Sequence, residues 1–164
     1  MGITKSGEKV NEEFCSVTGF KHTKNNSPLG DAWVLLGEDF CFSEVKKNTY
    51  NQVRPYKYNV LVGYDTKTDK WCVIPPDEVI TEFCFKRKGH HTTDPMEVVS
   101  LGKVKTKKFD NYRVEKKDLR SAVINAYLQG ETNVLVKDYA TKRRKEYEEA
   151  PSKREEEIQL LRKK

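Results

Sequence analysis

The period of the apolar positions changes along this chain, and each change marks an element. Over residues 7–20 Val10, Phe14 and Val17 recur at intervals of four and three, one face of a helix, with Gly19 as its stop. From residue 31 the period becomes two. Segments 31–36 (DAWVLL) and 39–47 (DFCFSEVKK) predict two strands joined by a tight turn at Gly37. In the second, Phe40, Phe42, Glu44 and Lys46 share one face, and Cys41, Ser43 and Val45 the other. Segments 59–65 and 70–75 bracket the polar turn TKTD and predict a second hairpin that extends the same sheet, with Trp33 and Trp71 as core anchors.

Between these strands, Pro55 limits any helix in the polar connection 48–58 to a turn or two. Pro76-Asp77-Glu78 predicts a short helix to about Phe85, its acids suited to the helix N-terminus. Asp94-Pro95 predicts another, ended by Gly102. The stripe Leu119, Val123, Ala126 and Tyr127 predicts a sheet-covering helix over 115–129 with Gly130 at C′. Residues 133–139 are expected as a short strand or a final packed segment. From Ala140 the apolar pattern stops, and Ser152 with Glu155 forms a capping box before a charged helix anchored by Ile158, Leu160 and Leu161. The fold class expected is α/β, a mixed central β-sheet flanked by helices. It divides into a domain over 1–139 and a charged helical extension over 140–164 that docks, pairs with a second subunit or hangs loose.

Composition bounds the function. The 164 residues are 36% hydrophobic and 34% charged, with a net charge of +6, enough for one domain with a modest core and suited to a polyanionic partner. Cys15, Cys41, Cys72 and Cys84 form no Cys-x-x-Cys pair, so free thiols are expected. The stretch MGITKSGEKVNEE has no apolar core, and no run reaches membrane length, so a cytoplasmic protein without a membrane partner is expected. There is no P-loop, dinucleotide-binding glycine run, G-x-S-x-G or H-E-x-x-H. Adjacent His90 and His91 have no Cys or acid at a zinc-ligand spacing.

The chemistry concentrates in residues 30–47. A carboxylate and an amine, Glu44 and Lys46, continue the face of Phe40 and Phe42, and Asp31 opens the preceding strand. Such groups on a core-facing row are unusual unless paired or functional. Carboxylates that hold a hard divalent cation, with an amine beside it, suit phosphodiester hydrolysis. Asp31, Glu44 and the backbone carbonyl of Val45 are the candidate metal ligands. Lys46 would orient water or stabilise charge. Glu12 and Glu13, with Glu8 behind them, are candidates to reach the site from the first helix.

This set resembles the PD-(D/E)xK nucleases, which include many type II restriction endonucleases and archaeal-type Holliday junction resolvases. In that family an Asp starts the second core strand and a Glu-x-Lys or Asp-x-Lys lies on the third. Here Asp31, Glu44 and Lys46 take those places, with twelve residues between Asp31 and Glu44. Gly30 stands where the family has proline, and Pro28 lies two residues earlier. The resemblance covers roughly residues 7–85. It implies a restriction-endonuclease-like core, Mg2+ (or Mn2+) as cofactor, and hydrolysis of DNA, double-stranded and read by sequence, by a homodimer with one site per strand. A junction resolvase or repair nuclease is the alternative within the family. A non-catalytic nucleic-acid-binding module, with Glu44 and Lys46 as a surface ion pair, is the alternative outside it. The residues expected to meet nucleic acid are Lys21, Lys24, Asn51, Gln52, Arg54 and Lys57, the loop residues Lys86, Arg87, Lys88, His90 and His91, and the run Lys103, Lys105, Lys107 and Lys108. Residues 86–120 carry eleven Lys and Arg against five acids.

Overall fold

A computed structural model describes residues 6–24, 27, 29–84, 100–147 and 151–163. The expected basic loop 86–93 and the start of the helix opening at Asp94-Pro95 lie outside the described residues; its expected end does not, because Ser100 and Leu101 are not helical and Gly102 begins a two-residue strand. Helix α1 spans Gly7–Thr18; Ser6 caps it, its Oγ accepting from Lys9 N–H at 3.2 Å, and Gly19 closes it at φ 79. β1 is Lys21–His22, β2 Ala32–Leu36 and β3 Asp39–Lys47, with β2 and β3 an antiparallel hairpin registered Ala32↔Ser43 through Leu36↔Asp39. β4 (Thr49–Tyr50) lies in the connection to β5 (Val60–Asp65), which runs parallel to β3 and pairs antiparallel with β6 (Lys70–Ile74). β7 (Gly102–Lys103) pairs with β4, and β8 (Arg113–Val114) adds the last edge. The main sheet is mixed, in the order β1-β2-β3-β5-β6-β8. Both hairpins and the joined sheet follow the expected alternation.

One sheet face packs on helices. Cys41, Val45, Val62, Tyr64 and Trp71 meet Val10 and Phe14 of α1 and Leu119, Val123 and Tyr127 of α3 (Leu119–Glu131). The other face carries Trp33, Phe40, Phe42, Leu61 and Cys72, roofed by Tyr50, Val53, Tyr56, Tyr58, Leu101, Val104 and Phe109. Tyr50 lies across Gly63, where a Cβ would overlap its ring.

Three boundaries depart from expectation. The expected helix over 115–129 opens as a 3-10 turn, Lys116–Asp118, and its α-helical part runs on to Glu131. Gly130 is therefore inside α3, where lack of a Cβ admits Pro76. The short helix α2 (Pro76–Glu78) widens into a π-helical stretch, Val79–Cys84, that buries Val79 and Ile80. Residues 133–139, expected as a short strand or packed segment, open helix α4 (Val134–Tyr147). Asn133 caps it: its Oδ1 accepts from Val136 N–H at 3.3 Å. Val136, Tyr139 and Ala140 face the core at helical spacing, and Val134 is left exposed. Helix α5 (Pro151–Arg162) docks through Ile158 and the buried Leu161 against the Trp33–Phe40 cluster.

Candidate active site

β2 begins at Ala32, so β3 runs two residues past its partner before reaching Val45. Asp31 fills that gap. Its N–H donates to Ser43 C=O at 2.8 Å, and its carboxylate Oδ2 accepts from Val45 N–H at 2.8 Å. A side chain thus completes the ladder where backbone has run out. The Val45 carbonyl leaves the strand from the same edge as its N–H. Gly30, at φ 101, brings the chain in; a Cβ there would sit 2.9 Å from Ser43 O. Glycine at this position is a steric requirement of the approach.

Glu44 and Lys46, two apart on β3, emerge on the Phe40–Phe42 face, with Lys46 Nζ 3.6 Å from Glu44 Oε2. Each side chain is about four-fifths buried. Burial pushes the Glu44 carboxyl up to about 8, and a hydrogen bond to Asp31 and the Asp31 charge push the same way, while Lys46 pulls it down. Two carboxyl groups and one amine therefore share the site, and Glu44 is the carboxyl held toward its protonated form. The Asp31 charge also reaches Cys15 on α1, whose thiol is held near 11, chiefly by burial.

These groups lie in a cleft of about 990 Å³. One wall is α1, through Glu8, Asn11 and Glu12 at i, i+3 and i+4 on one helix face. Gln52, Arg54, Tyr56, Lys57 and Tyr58 form a second stretch of wall, and the loop residues His22 and Lys24 line the cleft as well. Asn11 Oδ1 is buried with no hydrogen-bond partner among the described residues.

Asp31, Glu44, Val45 and Lys46 are brought together. Glu12 lines the cleft, but Glu13 does not: it turns to Lys116, 2.5 Å away. Lys24, Gln52, Arg54 and Lys57 line the cleft, whereas Asn51 is exposed beside it and Lys21 lies over the Trp33 ring. Lys103, Lys105, Lys107 and Lys108 are exposed and outside the cleft. The β4–β7 pairing ties them to the end of β3 all the same, with Lys103 opposite Thr49 and Val104 N–H donating to Asn48 C=O at 2.8 Å. Lys86, Arg87, Lys88, His90 and His91 lie outside the described residues. The sequence reading missed Asn11, although its spacing from Glu8 signals a shared face. It also missed Ser27, whose hydroxyl donates to the buried Glu157 of α5 at 2.7 Å and accepts from Leu29 N–H at 3.0 Å. That pair of bonds holds the loop that delivers Asp31.

The donors suit a hard cation: two carboxylates, a backbone carbonyl and an unpartnered amide oxygen, all oxygen. Among the described residues no group of three or more His, Cys, Asp and Glu is placed to hold a metal. Mg2+ takes one or two carboxylates and keeps several waters, and Asp31 and Glu44 are the residues that could hold such an ion. The chain matches no family model and no curated protein. Among the described residues no helix is long and apolar enough to cross a membrane.

Proposed function

We propose that the chain is a Mg2+-dependent endonuclease that hydrolyses DNA phosphodiester bonds, sequence-specific on duplex DNA and built on a restriction-endonuclease-like core. The observation that carries this reading is the juxtaposition of the Asp31 and Glu44 carboxyls, with Lys46 Nζ 3.6 Å from Glu44, in a cleft also lined by basic and aromatic side chains. A divalent ion held between them would favour the ionised form of Glu44, which burial and the Asp31 charge disfavour in its absence. The bound cation would polarise the phosphoryl group and lower the pKa of a water. Asp31, fixed by Val45 N–H, and Glu44 would hold that cation with the Val45 carbonyl. Lys46, released from part of its attraction to Glu44, would orient the attacking water or offset charge on the non-bridging oxygens. Arg54, Lys57 and Lys24 would receive the flanking phosphates, and the 103–108 run would follow the strand beyond the cleft. Two copies about a twofold axis would give each DNA strand a site.

The test is purified protein with Mg2+ or Mn2+ on plasmid, four-way junction and single-stranded DNA. Asp31→Ala is expected to reduce cleavage to that of protein-free controls and leave DNA binding within a few-fold. Preference for the junction would instead favour a resolvase or repair nuclease. Binding without cleavage of any substrate would support the second reading, a non-catalytic nucleic-acid-binding module. That reading draws on the 3.6 Å Lys46–Glu44 ion pair.

A further inference from the structure

Three described non-glycine residues have left-handed backbones: Asn48 (φ 63), Gln52 (φ 53) and Asp69 (φ 55). This region costs an L-residue on the order of 1 kcal/mol or more, and Asn and Asp tolerate it best. Two of the three have internal reasons for it. Asn48 Oδ1 accepts from Thr66 N–H at 2.8 Å and from the Thr66 hydroxyl at 3.2 Å, and the Asp69 carboxylate accepts from the Tyr64 hydroxyl. Both side chains close turns. Gln52 has neither the tolerance nor the bond. Its amide makes no hydrogen bond to another described residue, its side chain is exposed, and it lines the cleft with Lys46 and Arg54. The conformation is imposed from both sides, because Tyr50 and Val53 are fully buried. A glycine would adopt the same backbone without strain. The chain therefore holds an amide in the cleft at a cost to its own stability, with no return from its own contacts.

A carboxamide presents a donor and an acceptor side by side. A phosphate offers acceptors only and matches half of it, and Arg54 and Lys57, which line the same cleft, are the cations suited to phosphate. The adenine edge in the major groove offers the complement, N7 as acceptor and N6–H as donor, and Gln pairs with it bidentately. Resting on the nuclease reading above, we propose that Gln52 is a specificity-determining residue that reads an adenine, and that its left-handed backbone aims the amide at the base.

The experiment is Mg2+-dependent cleavage of a randomised duplex pool by the full chain, with the cut ends sequenced, for wild type, Gln52→Gly and Gln52→Glu, alongside thermal melting. Wild type is expected to favour adenine at one position by about 5- to 150-fold, the range of one bidentate contact. Gln52→Gly loses that preference, keeps the others and melts at the same or a higher temperature. Gln52→Glu, an acceptor only, shifts the preference at that position toward cytosine, whose N4 donates. Unchanged base preferences in both variants, or wild-type cleavage with no base preference, would overturn the role of Gln52 while leaving the nuclease reading intact. So would loss of preference at every position together with a lowered melting temperature, the mark of a purely structural residue. Absence of wild-type cleavage on every substrate would remove the nuclease reading, and this inference with it.

Discussion

The two faces of the sheet are covered by different kinds of structure, and β3 meets both on alternate residues. Toward α1 and α3 it presents Cys41 and Val45, sealed by helices whose own backbones are satisfied internally. Toward the other side it presents Phe40 and Phe42, then Glu44 and Lys46, under residues 48–58 and 101–112, which contain only two-residue strands and 3-10 turns, with Tyr139 of α4 and Leu161 of α5 adding to the same cluster. An irregular cover brings unpaired carbonyls with it. Arginines of the C-terminal helices answer two of them: Arg144 Nε donates to Tyr56 C=O at 2.7 Å and Arg154 Nη2 to Lys57 C=O at 3.0 Å, while Arg162 Nη1 donates to Glu38 C=O in the β2–β3 turn at 3.2 Å. A helix covering laid over Glu44 and Lys46 would bury them. The looped covering stops short and leaves a cleft, so the face that is harder to stabilise is the one that holds the polar groups. Structure and site thus divide between two sides of a single strand.

The contrast can be broken by truncation. Phe14 is fully buried on the helix-covered face, edge-on to Phe20 at 5.5 Å and 6.2 Å from Trp71. Phe14→Ala is expected to cost about 3–5 kcal/mol, because a rigid helix cannot close the void. Leu161→Ala, on the terminal helix over the other face, is expected near 2 kcal/mol, since α5 can shift inward. Urea midpoints compare them. A loss from Leu161→Ala equal to that from Phe14→Ala would mean that both faces are packed alike.

Ionisation sharpens the contrast on the looped face. Glu44 has a carboxyl pKa near 4.3 in an unfolded chain and about 8 in the fold. Between those values the native state keeps a proton that the unfolded state has released, so native stability falls as pH rises. The favourable contribution is complete below about pH 4.3 and lost through pH 8, with a slope approaching about 1.4 kcal/mol per pH unit. Glu44→Gln has no proton to release there, so its stability should be nearly flat over this interval and exceed that of wild type above pH 8. Mg2+ should flatten the wild-type curve by holding the charged pair. Parallel curves for wild type and variant in urea titrations at pH 5, 6.5 and 8 would show that Glu44 ionises alike in both states.

The same division governs what was legible beforehand. α1 and the two hairpins were readable because a helix or strand with one buried face imposes its period on the sequence. The strands β1, β4, β7 and β8 were not, since two residues carry no period. Residues 133–139 read as a strand or packed segment because Val-Leu-Val has no visible helical stripe. The decisive signal was the Asn133 cap, with Val136, Tyr139 and Ala140 completing the pattern one turn later. At the site, Asp31, Glu44 and Lys46 stood out as polar residues interrupting apolar alternation. Tyr56 and Tyr58 were visible only as aromatics interleaved with polar residues, because a loop gives no rule for which side chain turns inward. Asn11 was overlooked for its neutrality, though its helix position was computable. Its neighbours on α1 show the limit of such computation: successive residues lie about 100° apart around the helix, so of Glu12 and Glu13 only one can face the cleft.

That pair supplies the smallest of the expected effects. Glu12 lines the cleft, while Glu13 points along the helix-covered side to Lys116, whose side chain is about half exposed. Glu13→Gln removes one ion pair in partial contact with water, so a loss of about 0.2–1 kcal/mol is expected, shrinking further in 1 M salt. Cleavage should not change, because the altered group faces away from Asp31. Glu12→Gln makes the same chemical change one residue earlier, with the same helix preference, on the surface that faces the carboxyl pair. It should leave stability nearly unchanged and reduce Mg2+-dependent cleavage, most of all at low Mg2+. Matched measurements of melting and cleavage on the two variants separate charge that steadies the helix face from charge that serves the cleft. If Glu13→Gln lost cleavage and Glu12→Gln kept it, α1 would have to be turned by about a quarter of a revolution, and the wall assigned to it would be wrong.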